Sequence, residues 1–295
     1  MTTNEEHIVA ESHHVMTDDR VRIHLFDLKS AGHDEILMLH GVGRAGRTFS
    51  SLSTMLPGRF RIRAIDFRGH GQSERAGDRY RIADYIEDAI AALDFIGRPT
   101  VVYGHSLGSL VAAAVASTRP HLVAGVVLED PPSPGFWAQL SNTVYYPTFA
   151  AMQRWAGRRD VSVQQVSLGF GSEVVKTYSD GRVLRISDVR DAVNLRFAGW
   201  SLRQLDPEVM NAILLNRWPM GFDFDDVFRS VPCPALLFRG DVSKGGMLPD
   251  EDAAHLSDLV TDLTRIDFPN AGHLLHWQMR SEVAQHTSAW LETLT

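Results

Sequence analysis

Cysteine is almost absent: Cys233 is the only one in 295 residues. No internal disulfide can form, and no cysteine set can hold a structural zinc ion. The flanking prolines, Pro232 and Pro234, and the apolar run that follows mark Cys233 as an inert structural thiol. Long apolar runs are missing too, and none reaches the length needed to span a bilayer. The opening residues Met1 to His7 are polar and acidic, lacking the basic start and apolar stretch of a signal peptide, so a cytoplasmic protein is expected. Basic clusters are also lacking. With 29 Lys and Arg against 36 Asp and Glu, the net charge of −7 argues against a general affinity for nucleic acid or anionic membranes. There is no G-x-x-x-x-G-K loop, Gly41-Val42-Gly43 is too weak a signal for a dinucleotide-binding turn, and the 13 histidines show no ligand spacing. The expectation is therefore no cofactor, no metal, and a small-molecule substrate as partner; the sequence leaves a homodimer open.

Short buried strands alternate with amphipathic helices. Residues 21–28 read as an early strand, and 36–39, 62–65, 100–103, 123–128, 234–240 and 263–268 as further strands. Helical patterns occupy 48–56, 82–96, 110–116, 251–260 and 276–294. This alternation predicts a doubly wound, mainly parallel sheet. It breaks between about 133 and 230, where Phe136, Trp137, Tyr145, Tyr146, Phe149, Trp155, Phe170, Phe197, Trp200 and Trp218 crowd into helix-like patches. That stretch reads as a helical cap inserted into a core made of residues 1–132 and 231–295. Some of its aromatics face a pocket, and most fill the cap's own core.

Four motifs carry chemistry. Gly104-His105-Ser106-Leu107-Gly108 lies between a strand and an Ala-rich helix, which presents the serine at a sharp turn beside the unpaired N–H groups of a helix start. His40-Gly41-Val42-Gly43 ends an apolar strand, Asp66-Phe67-Arg68-Gly69-His70-Gly71-Gln72-Ser73 follows another, and Asn270-Ala271-Gly272-His273 follows the last. In order and spacing these resemble the α/β-hydrolase fold superfamily, over nearly the whole chain except its middle. The resemblance implies an eight-stranded, mainly parallel sheet with an inserted cap. It also implies Ser106 as nucleophile, His273 as base, and the Val42 and Leu107 backbone N–H groups as the oxyanion hole.

A serine hydroxyl needs a base within reach and an acid to fix that base's tautomer. Many relatives carry the acid in a G-x-x-D pattern after the cap, but here the pattern reads Gly240-Asp241-Val242-Ser243, with Asp241 displaced by two positions. Others, such as haloalkane dehalogenases, zearalenone lactonases and acetamidomethylene-succinate hydrolases, carry it at the end of the strand before the cap, and there Asp130 occupies that place. Asp130 is favoured, with Asp241 the alternative. Glu129 should point to the opposite face of its strand.

Around these, His40 is expected to brace the oxyanion loop, His105 to support the turn, His276 to lie near the site, and Asp66 and Arg68 to hold their own loop. Arg44 and Arg47 are read as solvated surface arginines, the alternative being a forked grip on a substrate carboxylate. A serine rather than an aspartate at the turn disfavours alkyl-ester chemistry. What remains is hydrolysis of an ester, lactone or amide, with carbon–carbon cleavage or a cofactor-free haloperoxidase-like activity on the same site. A small-molecule receptor that retains the triad is the competing class.

Overall fold

A computed structural model describes residues 11–294; the polar, acidic opening lies outside the described residues. The apolar runs form strands because their β-branched and aliphatic residues are covered on both faces. In chain order these are β1 (Ser12–Met16), β2 (Arg22–Lys29), β3 (Asp34–Leu39), β4 (Phe60–Asp66), β5 (Thr100–His105) and β6 (Val123–Glu129). A short hairpin follows, β7 (Val174–Thr177) with β8 (Val183–Arg185), then β9 (Ala235–Gly240) and β10 (Leu263–Phe268). Eight of them make one sheet in the order β1-β2-β4-β3-β5-β6-β9-β10. β1 and β2 enter antiparallel, and every pair from β4 to β10 along that order is parallel.

Two apolar layers cover the sheet. One face packs on the helices Ile82–Ile96 and Leu107–Thr118, the other on Leu52, Trp290 and Leu291 from the first and last helical segments. The helix Ile82–Ile96 ends where expected, at Gly97 in the left-handed conformation (φ 68°).

Two helices differ from the sequence reading. The stretch 48–56 holds only a 3-10 turn, Gly46–Phe49, and one helical turn, Ser50–Ser53, because Gly46 and Phe49 are drawn into the core. The closing helix is broken at Met279 into Leu275–Gln278 and Arg280–Leu291, the first turn being held instead by the buried Glu129 carboxylate.

The chain leaves the sheet after β6 and returns at β9. In between lie the helices Pro134–Gln139, Tyr145–Trp155, Val163–Ser172, Ala192–Leu202, Pro207–Leu214 and Phe224–Arg229 and the β7–β8 hairpin. The hairpin was not legible, since its strands are three to four residues long and mostly exposed. This segment lies over the carboxyl ends of the strands: Met152 Sδ sits 3.0 Å from where a Cβ on Gly43 would be, and Asp206 accepts a 2.7 Å hydrogen bond from Tyr80 Oη. No described helix is long and apolar enough to cross a membrane.

Candidate active site

Ser106 closes β5 at φ 57°, ψ −121°, a conformation that costs an L residue roughly 1–3 kcal/mol and turns the chain directly into the helix Leu107–Thr118. The turn is possible only with glycine on either side. A Cβ on Gly104 would lie 2.1 Å from Gly108 O, and one on Gly108 would lie 2.1 Å from Leu39 O. Tight backbone contact thus explains the G-x-S-x-G spacing.

The His40–Gly43 loop arrives from β3. A Cβ on Gly41 would come within 3.0 Å of Ser106 Cβ, so the loop lies against the serine. Its shape is held by imidazoles. His40 Nδ1–H donates to Gly41 O at 2.8 Å while its Nε2 accepts from Phe67 N–H, and His70 Nε2 accepts from Gly43 N–H at 3.1 Å. Both rings are wholly buried, and burial pulls them down to about 4 for His40 and about 3 for His70, so they brace the loop as neutral groups. Asp66 fixes the neighbouring turn by accepting from the N–H groups of Gly46 and Gln72 and from His24, and Arg68 is clamped between Asp88 and Asp19. With the loop so held, the N–H groups of Val42 and Leu107 donate to no protein acceptor among the described residues.

Asp130 lies one residue past β6, at φ 47°, and is completely buried. Its Oδ1 accepts from Gly240 N–H at 3.0 Å; its Oδ2 accepts from Met247 N–H at 2.9 Å and from His273 Nδ1 at 2.6 Å. Every lone pair needed to hold a buried carboxylate is therefore met. Asp241 does something else: partly exposed, it caps the short turn Val242–Lys244 through Ser243 N–H, and that hydrogen bond holds its carboxyl below the usual range. His273 stands on the loop after β10, with its ring 4.6 Å from His105 and Tyr145 edge-on at 5.9 Å. Among the described residues its Nε2 has no hydrogen-bond partner, Ser106 Oγ included. Catalytic hydrogen bonds are often open before substrate binds.

Glu129 diverges from Asp130, as the two-residue period of a strand requires, and enters a second buried network. Its carboxylate accepts from Tyr103 Oη at 2.7 Å and from His276 through both N–H (2.9 Å) and Nδ1 (2.7 Å). Burial opposes the charge, but His276 and Tyr103 outweigh it and keep the carboxyl below its ordinary value. Burial also pulls His276 below its ordinary value. Thr48 then donates to His276 Nε2 and accepts from Trp277 Nε1–H. Potential ligand atoms of Glu129, His276 and His105 lie within 4.8 Å of one another, but Glu129 and His276 already satisfy each other, and His105 Nε2–H is donated to His273 O. The cluster works as a hydrogen-bonded brace under the His273 loop.

Arg44 corrects the surface reading. It is only 5% exposed, packed between Phe197 and Trp277 with both ring centroids 5.5 Å away, whereas Arg47 is indeed exposed. The helix Ala192–Leu202 closes over it, which no local pattern announces. Cys233 fits its expected role, with burial pushing its thiol up to about 11. A cavity of about 650 Å³ opens between the β7–β8 hairpin, Tyr145 and the loops after β9 and β10, with His273 in its wall. Of the crowded aromatics, Tyr145 alone lines it; Trp137 and Trp218 pack against each other in the interior of the inserted segment.

An eight-stranded, mainly parallel sheet with a strained serine turn after its fifth strand and a carboxylate–imidazole pair beside it defines an α/β hydrolase. Residues 36–286 match the alpha/beta hydrolase family, and the chain belongs to it, as a hydrolase. Among similar proteins are a 2-(acetamidomethylene)succinate hydrolase from Mesorhizobium japonicum, 28% identical over 82% of each chain, and an (E)-2-((N-methylformamido)methylene)succinate hydrolase from Acinetobacter baylyi, 22% identical over 88% of this chain and 91% of that one. A solved esterase from Thermogutta terrifontis, with malate bound, shares the fold at a TM-score of 0.71 and 19% identity, covering 97% of this chain and 99% of that one.

Proposed function

We propose that this hydrolase works through an acyl-enzyme on Ser106 and cleaves an ester, lactone or amide bond of a small organic substrate. The reading rests on one observation above all: His273 Nδ1 is held by the buried Asp130 at 2.6 Å, which leaves Nε2 as the basic nitrogen on a loop beside the Ser106 turn. In this mechanism Ser106 Oγ attacks the carbonyl carbon as His273 Nε2 takes its proton. The oxyanion forms within reach of the free N–H groups of Val42 and Leu107, donors that typically contribute about 3 kcal/mol each. His273 returns the proton to the leaving group, Asp130 balances the imidazolium, and water enters by the reverse path to release the acid and restore the serine. Segment 133–230 acts as the cap that keeps bulk water from the site. The two named relatives act on amides, which supports an acyl bond of that kind.

The test is a burst of chromophore from a 4-nitrophenyl ester, followed by steady turnover. Both should vanish in Ser106→Ala, and a fluorophosphonate should label wild type at one site. Labelling or chromophore release that stops after one equivalent would instead mean a receptor with a retained serine. Steady turnover that survives Ser106→Ala would refute the nucleophile.

A further inference from the structure

The chain carries an excess of acidic residues, yet the cavity beside His273 has Arg190, Lys176 and Lys244 in its wall and no aspartate or glutamate. Arg190 follows the turn Ile186–Val189 after the hairpin and is half-buried there, its guanidinium 5.8 Å above the ring of Phe170. It forms no ion pair and no side-chain hydrogen bond among the described residues, whereas Arg68, Arg154 and Arg239 each find a carboxylate. Burial lowers its guanidinium from the ordinary value, so the fold holds this charge at a cost.

Arg44, just past Gly43 on the loop that follows β3, also lacks a carboxylate in contact among the described residues. Its Nη1 is buried with no partner, its Nη2 has only Asn194 Oδ1 at 3.5 Å, and no carboxylate touches it. Burial, followed by the charge of Arg190, pulls it down to about 9, while the carboxylates of Glu129 and Asp191 act the other way. Surface arginines are solvated and need no explanation; Arg44, buried with no carboxylate in contact among the described residues, does, and half-buried Arg190 stands on the cavity wall without a carboxylate partner of its own. A buried cation left unpaired is costly unless something supplies the anion.

We propose that the substrate carries a carboxylate in addition to its scissile acyl bond, and that Arg190, backed by the unpartnered Nη1 of Arg44, forms the subsite that receives it. The proposal rests on the serine-hydrolase reading for the chemistry but not for the binding. Arg190 supplies a planar pair of donors suited to a carboxylate, and the rings of Phe197 and Trp277 pack against Arg44 and hold it from water. Lys176 and Lys244 at the cavity wall add attraction that salt screens. The substrate class is thus a half-ester or half-amide of a dicarboxylic acid, rather than a neutral ester.

The test compares mono-4-nitrophenyl adipate with 4-nitrophenyl pentanoate. Wild type should favour the half-ester at least tenfold in kcat/KM. Arg190→Gln should lower that preference tenfold or more, and Arg190→Lys should restore part of it. Arg44→Gln should lower the preference further; because that side chain is buried, Arg44→Lys is made beside it and the Tm of each is recorded. A wild-type enzyme with no preference, or an Arg190→Gln enzyme that keeps it, overturns the subsite. Binding is read separately by calorimetry, titrating glutarate and the neutral glutaramide into Ser106→Ala. Glutarate binding that Arg190→Gln weakens tenfold supports the subsite even if no ester turns over, which would sink the catalytic reading alone. Equal binding of the two, or none, overturns the subsite while leaving Ser106 chemistry standing.

Discussion

Replacing Asp130 by Asn changes the charge of the group that holds His273 and little else. The residue sits at φ 47°, a left-handed conformation that Asn tolerates nearly as well as Asp, so the backbone gains no new strain. Three donors converge on the carboxylate: the N–H groups of Gly240 and Met247, and His273 Nδ1. An amide has one acceptor oxygen, so an NH2 group must face either Gly240 N–H or both Met247 N–H and His273 Nδ1. When it faces His273, the ring is held in the opposite tautomer with its proton on Nε2, where it cannot accept from Ser106.

The imidazolium of the transition state also loses its counter-charge. For charge centres about 4 Å apart in an effective dielectric of about 20, that loss is about 4 kcal/mol. With the tautomer effect, kcat for a 4-nitrophenyl ester should fall about 10³- to 10⁴-fold. KM should change little, because the contact is strengthened only as the imidazole becomes charged. Stability should fall by about 1–3 kcal/mol from the mismatched donor. A thermal scan therefore accompanies the kinetics to show that the variant is folded at the assay temperature. Asp241→Asn, which alters only the cap of a short turn, is the control and should retain activity within a few-fold. A loss below tenfold in Asp130→Asn, or a larger loss in Asp241→Asn, would refute this assignment of the acid.

Glu129→Gln should destabilise the fold by about 2–3 kcal/mol, because its amide nitrogen must face Tyr103 Oη or His276 Nδ1, both donors; a Tm unchanged within a degree would show that the buried network contributes nothing. His40 and His70 are kept neutral in the folded chain, at about 4 and about 3, whereas in the unfolded chain they protonate near 6.5. Their folded values are depressed, so the unfolded state binds more protons, and their contribution is complete above pH 6.5 and lost as pH falls toward 4. The loss is up to about 1.4 kcal/mol per histidine per pH unit. Urea midpoints should drop from pH 7 to pH 5, and the drop should shrink in His70→Gln; identical midpoints at the two pH values would contradict the neutral assignment.

What the amino-acid order determined by itself were features enforced over a few residues. The serine turn is legible because only glycine fits at 104 and 108, where the backbone of the turn meets itself and the end of β3. The alternation of strands and helices is legible because burial on one or two faces writes a period into the chain. His273 and the His40–Gly43 loop follow from short motifs at strand ends, and the register of β6 counted from Gly125 brought Asp130 to its strand end. The tertiary structure alone decided which distant groups meet. Glu129 finds His276 across 147 residues, and Arg44 is buried because a helix from the inserted segment brings Phe197 and Asn194 over it. Arg190 reaches the cavity wall only because the hairpin folds back over the site. Such encounters depend on how far the chain travels between contacts and on which faces happen to be packed together. A charged residue carries no local sign of whether water or protein will surround it, because that depends on segments far away in the chain.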